Sequence, residues 1–195
     1  MERHSLISKK SITKRWILNN LGMVFLALLV IEMAFIYAIQ NYYYSSVRQY
    51  MSSRINAVTS VLSIHSQDSA ANFSSEMRNM LETFDEKDKL ELMAINSKGR
   101  VVLTSSGFSP DENIAMPDYS DVMNGGDGYW VGKLPSGEKI MAISVPISSM
   151  NSEYSAVRMV VSLTEIDGAV GTYILIACAL GMLILFIMIF TGLYF

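Results

Sequence analysis

Few residues in this 195-residue chain could do chemistry: two histidines, one cysteine, and carboxylates gathered in small groups. Asp118, Asp121, Asn124 and Asp127 surround Gly125, Gly126 and Gly128, and oxygen ligands grouped in this way could hold a divalent cation. Their three-residue spacing does not match an EF-hand loop. Helix capping and solvated turn chemistry account for them better, so no metal is expected. Tyr119, Tyr129, Trp130, Lys139 and Arg158 could line a ligand pocket, supplying aromatic walls and a cation for a carboxylate. All five are equally explicable as strand residues. His65 stands in the run Ser63-Ile64-His65-Ser66-Gln67, where an imidazole is either a pH-responsive group or one more residue of a helix seam. The chain has no Gly-x-Gly-x-x-Gly, no Gly-Lys-Ser/Thr phosphate loop, no His-Glu-x-x-His and no cysteine pair. With Cys178 alone in an apolar tail, zinc and thiol catalysis are all but excluded. No catalytic residue stands out, and no cofactor is called for.

The elements that must position these residues begin with two apolar blocks. Hydrophobic residues make up 51% of the chain and charged ones 17%, below the quarter usual in soluble domains. The deficit lies in residues 16–39, where Glu32 is the one charge, and in residues 173–195, which have none. At ~1.5 Å per residue each block can cross a ~30 Å hydrocarbon layer. A core helix of a soluble domain rarely stays apolar on every face for so long. Both are therefore read as transmembrane helices. The first exceeds the ~7–15 residues of a signal-peptide core, and no small-residue cleavage site follows it. It runs instead into Tyr42, Tyr43 and Tyr44, aromatics suited to the outer membrane interface. Glu32 lies about 10 Å inside the outer end of this helix. A carboxyl there is costly and should face a partner helix, setting packing or register across a dimer, unless it is simply tolerated near the interface.

Basic residues give the orientation. Arg3, Lys9, Lys10, Lys14 and Arg15 precede Trp16 against a single acid, Glu2, whereas residues 40–172 carry a net charge of −6. Loops longer than ~60 residues do not steer topology, so the basic tail decides. Residues 1–15 are expected in the cytoplasm and residues 40–172 outside. The outer segment has no cysteine, so packing alone must hold it. A pI near 5.4 gives no sign of a nucleic-acid partner.

Within the outer segment, Met51, Ile55, Val58, Leu62 and His65 are spaced 4, 3, 4, 3 and predict one seam of a long helix over residues 42–84. Phe73, Met77, Met80 and Phe84 resume the stripe after a break at Asn72 or Ser74. Asp85–Lys89 is a solvated turn. Leu92–Ile95 and Arg100–Ser105 read as a hairpin about Asn96–Gly99, and Pro117–Met123 as a short helix. Tyr129–Leu134, Lys139–Ile147 and Ala156–Leu163 are three further strands. The expected fold is α+β: a long leading helix and a five-stranded antiparallel sheet, flanked by transmembrane helices at 16–39 and 173–195.

Tyr129-Trp130-Val131-Gly132-Lys133, Gly137-Glu138-Lys139-Ile140-Met141-Ala142 and Val145-Pro146-Ile147 resemble the strand signature of single Cache domains, the PAS-like extracytoplasmic sensors of bacteria. Arg158–Leu163 running into a membrane helix is similar to how such domains feed a second transmembrane segment. Ile12–Trp16 and the tyrosine-rich exit near Tyr43 resemble sensor histidine kinases of Gram-positive, clostridia-like bacteria. The resemblance implies a bacterial cell membrane, a homodimer, an unknown extracellular ligand or envelope component, and a response regulator reached through a cytoplasmic part that lies beyond this chain. The family's phospho-accepting histidine is followed at once by an acid and soon by a proline. His65 has neither, and lies on the outer side, where ATP is absent. The chain stops at Phe195 without a basic anchor, so a longer parent protein is expected. The fuller Tyr, Arg, Trp and Asp pattern of amino-acid-binding Cache domains does not appear.

The function so implied is extracytoplasmic sensing as the input region of a two-component histidine kinase. The alternatives are the same module on a chemoreceptor or cyclic-dinucleotide enzyme, or a non-signalling envelope scaffold.

Overall fold

Alternating burial and turn chemistry after Leu90 give five antiparallel strands in the computed structural model, which describes residues 3–110, 114–147 and 153–194, with the backbone alone at 3–18 and 192–194. The elements are α1 (Arg3–Ile64), α2 (Ala70–Glu82), β1 (Glu91–Asn96), β2 (Val101–Thr104), α3 (Pro117–Met123), β3 (Tyr129–Lys133), β4 (Lys139–Pro146), β5 (Tyr154–Ser162) and α4 (Thr164–Tyr194). The sheet order is β2-β1-β5-β4-β3, antiparallel throughout. The chain divides into two compact units, Ser45–Ile166 and the pair Met1–Tyr44 with Asp167–Phe195. The α+β class expected from the sequence is the class observed.

The first helix differs from expectation in where it ends. It runs 62 residues without interruption, about 93 Å at the ~1.5 Å helical rise, and stops at Ile64 rather than near Asn72. Two local interactions set the break. His65 Nδ1 and an Asp68 carboxylate oxygen lie 2.9 Å apart across the turn, and the Ser69 hydroxyl accepts the Asn72 N–H as the N-cap of α2. A serine that satisfies an orphan amide starts a helix more effectively than an asparagine inside one ends it.

In the unit Ser45–Ile166, register assigns side chains to faces. The pairs Ser144↔Arg158, Met93↔Arg158 and Trp130↔Ala142↔Val160 put Met93, Trp130, Ala142, Ser144, Arg158 and Val160 on one face. Leu92, Ala94, Met141, Ile143, Val157 and Met159 occupy the other. They form the core with Met51, Ile55 and Leu62 of α1 and Phe73, Met77 and Leu81 of α2, all buried. The α1 seam is therefore consumed by its own sheet. A bulge lies in β5 between the pairs Ile95↔Ala156 and Asn96↔Tyr154. It reverses the alternation, so Tyr154 reaches Ser74 and Phe73 of α2 while Ser155 reaches Tyr119 of α3.

The second unit is the α1–α4 pair. None of the most apolar stretch of α1 and 6% of that of α4 is buried by the protein. Leu26, Leu175 and Phe186 are 65%, 70% and 67% exposed. Water would not tolerate such surfaces over two helices, whereas hydrocarbon does. Tyr44 donates a 2.6 Å hydrogen bond to an Asp167 carboxylate oxygen, and the Tyr43 and Tyr173 rings stack 6.1 Å apart. Glu32 lies against Gly181, where any side chain would collide with its carboxyl.

Gly128 holds a φ of +64°, and a Cβ there would sit 2.3 Å from the Ser144 carbonyl oxygen. Gly137, at +87°, has open space around it. Gly128→Ala should therefore lower stability by at least about 2 kcal/mol, from left-handed strain plus displaced β4 backbone, and Gly137→Ala by about 1 kcal/mol from strain alone. Urea unfolding of both variants measures the difference; equal losses would contradict the close approach.

Candidate functional site

The most unusual side chain of the sheet is a charge where none belongs. Arg158 occupies the middle of β5, between Val157 and Met159, and is 1% exposed. A guanidinium does not shed its proton, so burial obliges it to find an anion. That anion is Asp118, itself 0% exposed. Arg158 Nε donates to Asp118 Oδ2 at 2.8 Å and Nη2 to Oδ1 at 2.9 Å, the bidentate fork that suits a carboxylate. The Ser144 hydroxyl donates to the same Oδ2 at 2.7 Å. Register produces this third bond, because Ser144 and Arg158 are cross-strand partners.

Asp118 belongs to the first turn of α3, the seven-residue helix begun by Pro117. A solvated capping role was expected for this residue; the structure buries it on the sheet instead, since Arg158 demands a counter-charge. Beside it, the Tyr119 hydroxyl lies 3.1 Å from Ser155 Oγ, and Met116 packs with Ile95 and Ala156. The other members of the expected cluster diverge. Asp121 accepts the Gly128 N–H, the Asn124 amide donates to the Ser120 carbonyl, and Asp127 pairs with Arg48. Among the described residues no group of three or more potential metal ligands converges.

The five candidate ligand residues do not share one wall. Arg158 and Trp130 lie on the α3 face of the sheet, and Tyr119 covers that face from α3. Tyr129 and Lys139 fall on the opposite face by register, with the Arg48 guanidinium 4.1 Å above the Tyr129 ring. The Trp130 indole folds over Gly132, where a Cβ would meet it at 2.0 Å. Ser144 and Asp118 are the site residues that the sequence reading missed as partners of Arg158. The available signal was Arg158 itself, a cation inside an apolar strand run. Two open grooves lie elsewhere: one of about 290 Å³ between Val58 and Val61 of α1 and Met80 and Phe84, and one of about 490 Å³ along β2, Phe108 and Arg78. Neither contains any of the five residues.

Removing one partner from such a pair leaves an uncompensated buried charge, whereas removing both leaves a packed apolar site. Asp118→Leu alone should cost about 3–5 kcal/mol, and Asp118→Leu combined with Arg158→Met should recover most of that loss. A double-mutant cycle from chemical denaturation gives the coupling; additive losses would mean that the two groups are not paired.

No family model matches the chain, and no curated protein matches it in sequence. Among solved structures it is similar to the ligand-binding domain of the Pseudomonas aeruginosa PAO1 amino-acid chemoreceptor PctC in complex with GABA, at 16% identity and a TM-score of 0.45 over 67% of this chain. This chain spans 60% of that domain's length.

Proposed function

We propose that the chain is the sensing and membrane-crossing input region of a bacterial receptor, with residues 40–172 outside the cell, residues 1–15 inside, and spans at 16–39 and 173–195. The parent protein in this reading is a two-component sensor histidine kinase, whose cytoplasmic part would engage a response regulator. The observation that carries it is continuity. The helix that leaves the first apolar block is the same helix whose Met51, Ile55 and Leu62 build the sensor core. At the other end, β5, the strand bearing Arg158, stops at Ser162, and the second apolar helix starts at Thr164. A rearrangement around Arg158 would thus act on the strand joined directly to α4. Shifts of about 1–2 Å between helices are typical of such switches, and a ligand biases them only through its different affinity for the two states.

Two copies pair through α1 in this proposal. The buried stripe is spoken for, but Tyr50, Arg54, Ala57, Val61 and Ile64 form a second stripe spaced 4, 3, 4, 3, on which Val61 and Ile64 are 42% and 75% exposed. Two copies anchored in one membrane with the same orientation would present this stripe at the same height.

In a Cys178→Ser background, Val61→Cys and Ile64→Cys should cross-link in intact cells while Leu62→Cys should not. A membrane-impermeant thiol reagent should block the reaction at both exposed positions. Reagent-resistant cysteines would reverse the topology. Cross-linking strongest at Leu62 would sink the pairing.

A further inference from the structure

Any molecule that enters between α3 and the sheet must come to terms with Arg158. All of its described ionic contacts go to Asp118, through both Nε and Nη2. Parting α3 from the sheet therefore strands a guanidinium in an apolar face unless another anion takes its place. The seat left behind has three donors, Arg158 Nε and Nη2 and the Ser144 hydroxyl, arranged around one planar carboxylate. The α3 segment is also suited to leave. It is seven residues long, its N-cap Met116 supplies no side-chain cap, and Gly125 and Gly128 both take positive φ just after it.

We propose that Asp118 is an internal surrogate for the ligand: the molecule sensed is a small organic acid whose free carboxylate displaces Asp118 from Arg158 and Ser144 and releases α3. The inference rests on the receptor reading above and names the ligand class for its site. No bond is made or broken. One carboxylate replaces another, so the charge of the buried site is unchanged and the equilibrium is set by the competition between them. A neutral or cationic ligand could not open this face without leaving Arg158 bare, which restricts the chemistry to anions. The flat, forked donor set favours a carboxylate over a tetrahedral oxyanion.

Hydrogen exchange of the full chain in lipid nanodiscs tests this, read over residues 117–123, with sodium acetate as probe against sodium chloride at equal ionic strength. In chloride, Asp118→Ala should lose at least tenfold in protection over α3. Acetate at 200 mM should restore at least fivefold of that protection by filling the seat. In the wild type acetate should act with the opposite sign, lowering α3 protection by competing with Asp118. The doubly apolar Asp118→Leu/Arg158→Met chain should not respond to acetate. Should Asp118→Ala fail to keep β5 protected, Asp118→Ser, whose short side chain also leaves the seat open, serves in its place with the same outcomes. Protection over α3 that ignores acetate in both the wild type and the Asp118 variant, or that responds equally in the double variant, overturns the proposal. Rescue by acetate in a chain whose attached output domain ignores every organic acid would support the seat and defeat the receptor reading. Acid-dependent output without rescue would do the reverse.

Discussion

Arg158 projects from the centre of β5 into a face that includes the apolar Met93, Ile95, Ala142 and Ala156, and a guanidinium in such surroundings must be neutralised by something that arrives from outside the sheet. That requirement decides where α3 sits. The helix is too short to hold itself, and it is fastened through Asp118 to Arg158 and Ser144 and through Tyr119 to Ser155. A buried ion pair adds little to stability compared with an apolar replacement of the same volume. What it does supply is geometry, since only one placement of α3 brings both carboxylate oxygens onto the fork.

The sheet separates two kinds of packing. On the face toward α1 and α2 the contacts are aliphatic and aromatic, with the Tyr154 hydroxyl meeting Ser74 at the margin. On the face toward α3 an apolar patch at Ile95, Met116 and Ala156 surrounds directional polar contacts, from Arg158 and Ser144 to Asp118 and between Ser155 and Tyr119. The bulge in β5 serves both, because one extra residue lets Tyr154 join the apolar layer and Ser155 the polar one. Glycines appear where backbone or ring comes close, at Gly128 under the Ser144 carbonyl and at Gly132 beneath the Trp130 indole. The apolar face resists local change, whereas the polar face can exchange one set of hydrogen bonds for another.

The unit of Met1–Tyr44 with Asp167–Phe195 has a different surface. Its exposed leucines and phenylalanines are costly in water and favourable in lipid, and its few polar contacts lie where the helices approach each other. Tyr44 with Asp167 and Tyr43 with Tyr173 join α1 and α4, and Glu32 lies against Gly181. The missing side chain of Gly181 makes room for the Glu32 carboxyl.

Local pattern was enough to read the α+β class, both apolar helices and the five strands, because uncharged length, helical seams, strand-like runs and turn residues are properties of neighbours along the chain. Met141, Ile143 and Val157 announce buried strand positions, and Met51, Ile55 and Leu62 a helix seam, whatever lies elsewhere. The helix break was misplaced because Ser69, His65 and Asp68 make it by specific hydrogen bonds that period does not record. The site was legible only in half. Arg158 in an apolar strand demanded a partner, but sixteen acids in the outer segment could have met the demand. Asp118 was chosen by the register that aligns Ser144 with Arg158 and by the path that lays α3 over them, forty residues away in sequence. The same register sent Tyr129 and Lys139 to the far side of the sheet. Local pattern dictates which residues are buried; which buried residues meet depends on long-range pairing, and only the folded chain supplies that.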